Sequence, residues 1–134
     1  MKTIITFCFV FLSLNSLSQK VGYNDLIGTT WFDNTLYNFT GIKSVCSYVD
    51  STHLISWTWT NSFPKKDTVY STYLLDFSKD ETMLIVKNKN GTLYSLLKRI
   101  DSTGLKEQSN YNMTIPDKWE KETLVNTHHL SLEH

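Results

Sequence analysis

The chain reads as an all-β protein, a small antiparallel meander closing into a β-barrel of about seven or eight strands. Three observations predict this. Between Thr29 and Arg99, short runs of alternating apolar and polar residues follow one another with turn signals between them. Nothing in that stretch carries a convincing helical spacing. An Asn-Gly pair, Asn90-Gly91, stands between two apolar runs, the strongest local hairpin signal a sequence offers. Strands of one meander must wrap around a shared core, and a chain of this size has few other ways to do so.

Taken in order, the first segment is a leader. Met1-Lys2 is a minimal positive start, and Ile4 to Leu14 is an apolar run interrupted only by Thr6 and Ser13. Ser16-Leu17-Ser18 then offers small residues at the positions a signal peptidase reads, placing the cut before Gln19. The run is too short to span about 30 Å of hydrocarbon, so a cleaved signal peptide over residues 1–18 is expected, with an exported, periplasmic or secreted product. The mature chain of about 116 residues suffices for one domain and carries no membrane span. A lead-in over residues 19–28 follows, with a short helix or 3₁₀ turn from Tyr23 to Ile27. The barrel is expected over residues 29–115 and a tail over 116–134.

Within the barrel, Thr35 to Thr40 alternates and predicts a strand with Tyr37 and Phe39 on one face, ended by Gly41. Ser44 to Val49 is rich in β-branched and aromatic residues and is closed by Asp50-Ser-Thr. His53 to Thr60 is the clearest strand, with Ile55, Trp57 and Trp59 on one face and Leu54, Ser56, Thr58 and Thr60 on the other. A longer loop, Asn61 to Asp67, precedes Thr68 to Phe77, whose one side holds Val69, Ser71, Tyr73, Leu75 and Phe77. Met83 to Val86 is continuously apolar, as in a strand covered on both faces or one closing a barrel seam. It forms a hairpin with Thr92 to Arg99.

Past Asp101-Ser-Thr-Gly104 the chain turns polar. Tyr111 to Ile115 predicts an edge strand ended by Pro116. Asp117 as a cap, with Trp119 and Val125 at packing positions, allows a short C-terminal helix over Asp117 to Val125. Leu132-Glu-His134 has the look of a tag linker.

Charge and composition exclude several functions. Thirteen basic residues balance thirteen acidic ones, and losing Lys2 leaves the mature chain slightly negative. A nucleic-acid partner usually needs a strong basic field, so none is expected. Losing Cys8 leaves Cys46 without an intrachain partner, and a lone cysteine in a strand is more often a small buried hydrophobe than a nucleophile. His128 and His129 are adjacent and face apart on a strand, so they make no chelating pair, and no metal or cofactor is expected. His53 beside Asp50 and Ser51 belongs to one turn, and spacing alone cannot make a triad of them. Asn38-Phe-Thr40, Asn90-Gly-Thr92 and Asn112-Met-Thr114 match the N-glycosylation pattern, as chance allows in a chain rich in Asn and Thr. No acid, base and nucleophile set stands out, so the protein reads as non-catalytic.

The aromatics are the remaining candidates. Tyr37, Phe39, Ile55, Trp57, Trp59, Tyr73 and Phe77 fall on the inferred inward faces of different strands. There they either fill the barrel or line a cavity for one small ligand.

Gly28-Thr-Thr-Trp31 before a strand meander that ends at Lys98-Arg99 resembles the lipocalin-like (calycin) families, in particular the short exported lipocalin-like domains of Bacteroidetes-type bacteria. The likeness covers Leu26 to Arg99, with one extra residue between Gly28 and Trp31. It implies a barrel plug in which Arg99 packs over Trp31 next to Gly28, and a small hydrophobic ligand inside. The alternative is an interaction or scaffolding protein with a solid core, acting through surface patches around Phe63-Pro64 and Trp119.

Overall fold

A computed structural model describes residues 20–62, 65–109, 115–116, 118–120 and 127–133. Eight antiparallel strands, each paired to its neighbour in sequence, close into a barrel where the last meets the first. They are β1 (Thr30–Asp33), β2 (Lys43–Tyr48), β3 (His53–Trp59), β4 (Asp67–Asp76), β5 (Thr82–Asn88), β6 (Gly91–Asp101), β7 (Gly104–Gln108) and β8 (Thr127–Glu133). A four-residue helix, α1 (Tyr23–Leu26), precedes β1, and α2 (Asn34–Thr40) joins β1 to β2. The all-β barrel expected from the sequence is the observed fold. No helix among the described residues is long and apolar enough to cross a membrane.

The lead-in plugs one end. Antiparallel pairing brings the end of β2, the end of β4, the start of β5 and the end of β6 to the same rim, and the lead-in binds all four. Gly28 N–H donates to the Tyr48 carbonyl at 2.7 Å, and Leu75 N–H donates to the Tyr23 hydroxyl at 2.9 Å. The Thr82 hydroxyl donates to the Val21 carbonyl at 2.6 Å, and Arg99 pairs with Asp25. Val21 and Leu26 are buried beneath these bonds, which stabilises the plug by roughly 1.5–3 kcal/mol per side chain. Gly28 sits at φ 77°, a left-handed turn that glycine enters without a Cβ clash.

Two expected elements differ. Thr35 to Thr40, read as a strand, is most of α2. Asp33 caps it, its carboxylate accepting from Leu36 N–H at 2.9 Å, and Gly41 ends it at φ 73° with its N–H on the Tyr37 carbonyl. A good cap at each end outweighed the alternating pattern between them. Tyr37 consequently stacks edge-on against Phe32, and Phe39 is 68% exposed; neither ring enters a strand face of the barrel.

The second difference is β8. Thr127 to Glu133 closes the barrel by pairing with both β1 and β7, so the barrel runs well past residue 115 and Leu132-Glu133 belongs to it. The expected strand over Tyr111 to Ile115 and helix over Asp117 to Val125 fall largely outside the described residues, as do the leader and Phe63-Pro64.

Other expectations hold. The short helix of the lead-in is α1. Met83, Leu84 and Val86 are buried on both faces of β5. The β5–β6 hairpin is present, but Asn88 faces Gly91 across it, so its loop is Lys89-Asn90 and Gly91, at φ 130°, follows the turn.

Candidate functional site in the barrel mouth

Side chains inside the barrel follow from the register, because residues paired across strands share a face. Buried Tyr48 pairs with buried Leu54, which pairs with Ser71. By alternation Ser44, Cys46, Ser56 and Thr58 face the same interior. Ile55, Trp57 and Trp59 therefore lie on the outer face, opposite Ser47, Val45 and Lys43. This corrects the inward reading of these three residues. Two apolar layers compete for the Leu54 face and the indole face of β3. The leucine face won because it meets Tyr48 and the plugged end. The indoles are accommodated outside, where lysine ammonium groups cover Trp59: Lys66 Nζ stands 4.9 Å and Lys43 Nζ 6.0 Å from the ring centre.

Of the other expected site residues, Tyr73 does point inward. Its ring packs on Tyr48 and Tyr23, and its hydroxyl donates to the Asp50 carbonyl at 2.5 Å. Burial pushes that phenol up to about 12. Phe77 lies just past β4 and covers Tyr23 from the rim, half-exposed. Trp31 is buried inside, its indole N–H on the Thr29 hydroxyl at 2.8 Å. Arg99 gives its guanidinium to Asp25 and to the Asp101 carbonyl rather than to the Trp31 ring. Carboxylate and carbonyl acceptors within reach hold a guanidinium more strongly than an indole face does.

The interior has two tiers. Toward the plug it is apolar, with Trp31, Leu54, Leu75, Leu84, Leu97, Leu105 and Leu130 forming one cluster. Away from the plug the inward positions mix polar Ser44, Ser56, Thr58, Asp33, Glu107 and His128 with apolar Val69, Val86 and Leu93, and buried Ser71 and Ser95 stand across from Leu54 and Leu84. A cavity of about 70 Å³ lies where the tiers meet, lined by Trp31, Asp33, Ser44, Cys46, Tyr48, Glu107 and Leu130.

Its electrostatics follow from recessed charges. Asp33 uses one carboxylate oxygen to cap α2 and the other to hold His128 Nδ1 at 2.6 Å. That bond raises the His128 pKa above the usual imidazole value. Burial pushes the Glu107 carboxyl up, against a hydrogen bond from Ser95 and the nearby His128. Burial also raises the Cys46 thiol and Tyr48 phenol, which hydrogen-bond each other, so both stay neutral at physiological pH. Among the described residues no three His, Cys, Asp or Glu side chains are arranged to hold a metal ion.

These polar positions escaped sequence reading as a group because they come from β1, β2, β3, β4, β6, β7 and β8 and meet only when the barrel closes. The signal present was the Leu54-Ser56-Thr58 face of β3, the one that alternation sets opposite the indoles. Outside the barrel, the His53–Asp50 pair is an exposed turn: Asp50 accepts from the backbone N–H of Thr52 and of His53, and these bonds with the imidazole lower its carboxyl to about 2. No family model, curated protein or solved structure matches the chain.

Proposed function

We propose that this protein is an exported, non-catalytic binding module that takes a small polar ligand, or the polar head of an amphiphile, into the open mouth of its barrel. The observation that carries this reading is the two-tier interior. A barrel of about eight strands can be filled by side chains or can hold one small ligand. Here the plugged half is apolar, and away from it hydroxyls and ionisable groups stand among a few apolar residues around a cavity of about 70 Å³. The leader sequence supports export, and the lipocalin-like resemblance supports a binding role.

The hydrophobic ligand that the resemblance implies was to meet Trp57 and Trp59 inside the barrel, and their outward placement shifts the preference to a polar one. The test is a panel of small neutral polyols, amines and carboxylates, with a fatty acid for comparison, followed by backbone amide NMR shifts. Binding in the mouth moves the amides of Ser44, Ser56, Thr58 and Ser95 in a saturable way. Shifts confined to the outer face, or none, would overturn it.

One observation favours a second reading, an interaction protein. The outer face of β4–β6 bears a groove of about 300 Å³ lined by Thr72, Leu74, Ile85, Lys87 and Tyr94, and Tyr70 nearby is 73% exposed. Such apolar exterior surface is a common mark of a protein contact. Shifts of these residues on adding a partner, with a silent mouth, would establish it.

A further inference from the structure

We propose that the cavity between Trp31, Cys46, Tyr48 and Glu107 binds the ammonium group of a small primary amine. This rests on the reading of the barrel as a binding module and names its ligand class. Every lining group either accepts a hydrogen bond or presents an aromatic or aliphatic face. Glu107 offers a carboxyl, Ser44 a hydroxyl, Cys46 a sulfur and Tyr48 a phenol oxygen, while Trp31 and Tyr48 supply rings that attract a cation. No residue lining the cavity carries a fixed positive charge. His128, which lies close to Glu107, is engaged by Asp33.

The charge count matches a single cation. Asp33 is held by its capping bond and by His128, so Glu107, which Ser95 hydrogen-bonds and burial pushes toward its neutral form, is the carboxyl left to meet a guest cation. An ammonium beside it forms a charge-assisted hydrogen bond in a recessed site, where such bonds are strongest. Size also fits. About 70 Å³ is roughly the liquid volume of two waters, enough for an ammonium and one or two carbons but too little for a quaternary ammonium. A free amine and the end of a lysine side chain share this chemistry.

Because burial holds the Glu107 carboxyl toward its neutral form, binding a cation there should draw off its proton. The other titratable groups facing the cavity are Asp33, His128, Cys46 and Tyr48. The first two form a closed pair, and the last two stay neutral across the working range.

The experiment is calorimetric titration of the mature protein with methylammonium, n-butylammonium, an N-acetyl-lysine amide, methanol and tetramethylammonium. Saturable binding of the primary amines, with none for methanol or tetramethylammonium, supports the site. Binding of n-butylammonium alone identifies a free amine as the source, and binding of the lysine derivative as well identifies a side chain. Glu107→Gln, which preserves shape, should weaken methylammonium by about tenfold or more. A second measurement needs no variant: the affinity of wild type should rise with pH above the ordinary carboxyl range, with proton release into the buffer.

Equal affinity for Glu107→Gln, no proton release, or binding of methanol alone would overturn the ammonium site while leaving the binding module intact. A cavity that holds water only, with methylammonium not bound but polyols still shifting the mouth amides, would do the same. Silence across every solute would overturn both.

Discussion

Gly91 follows the Lys89-Asn90 turn at φ 130°, and the Asn88 side chain accepts from Asn90 N–H at 2.8 Å, which tightens the turn. A Cβ built on Gly91 meets nothing within 4 Å, so any cost of replacing it comes from backbone strain alone. Gly91→Ala should therefore lower stability by about 1–2 kcal/mol, read as a shift of the urea midpoint with an unchanged slope. An unshifted midpoint would show that the turn tolerates negative φ. The His128–Asp33 bond makes a residue-scale prediction of a different kind. The folded-state pKa of His128 lies above its unfolded value, so the bond's contribution is fully present below about pH 6.5 and is lost as pH rises through the folded pKa. The stability difference between wild type and His128→Gln, measured by urea unfolding from pH 5.5 to 9, should be largest at the acid end. A difference that is flat or grows with pH would refute the assignment. Glu107 lies close to His128, and burial pushes its carboxyl above the ordinary range.

At the scale of elements, the plug and α2 close on the barrel by different means. α1 has only four residues, too few to be stable alone, so its position depends on what it touches. The Asp25 carboxylate accepts the N–H of Gly22 at the start of α1 and also receives Arg99 from the end of β6. One side chain therefore joins the helix start to the rim. Both partners of the ion pair are about 28–29% exposed, so screening limits its worth. A double-mutant cycle of Asp25→Asn and Arg99→Ala should give a coupling of about 0.5–1 kcal/mol that shrinks in salt. Additive single effects would mean that the plug is held by its buried side chains and its other hydrogen bonds, without help from the ion pair. The caps of α2 show why its sequence misled. Asn34 to Thr40 has a strand's alternation, yet Asp33 before it and Gly41 after it are the two residues that start and stop a helix. Seven residues are within reach of local capping energies, which here outweighed the periodicity.

For the whole molecule, β1, β7 and β8 were not read as strands, whereas the barrel and its strands β2 to β6 were legible because each of their hairpins announces itself locally by turn residues and alternation. Which face of β3 turned inward was not, since both faces carry apolar residues and the choice depends on Tyr48 and Ser71 from neighbouring strands. The mouth was hidden for the same reason: Asp33, Glu107 and His128 are far apart in sequence and meet only on closure. Closure itself depends on β8, which is polar enough to read as a tail. Its inward residues are His128, Leu130 and Leu132, and Leu130 belongs to the main apolar cluster. The strand pairs four residues with β1 and five with β7, so its removal exposes the backbone of both neighbours as open edges. Leu130→Ala should cost about 2–4 kcal/mol as a buried leucine opening a void beside Leu105. Ending the chain at residue 126 should go further and abolish cooperative unfolding, because a sheet that cannot close leaves the apolar tier facing water on one side. The measurement is a urea transition followed by tryptophan fluorescence and by far-ultraviolet circular dichroism. In the truncated chain the two probes should separate and the slope should fall, since less surface is buried to begin with. Coincident, steep transitions at the wild-type midpoint would mean that the barrel is complete without β8, and that Leu132-Glu133 contribute nothing to its closure.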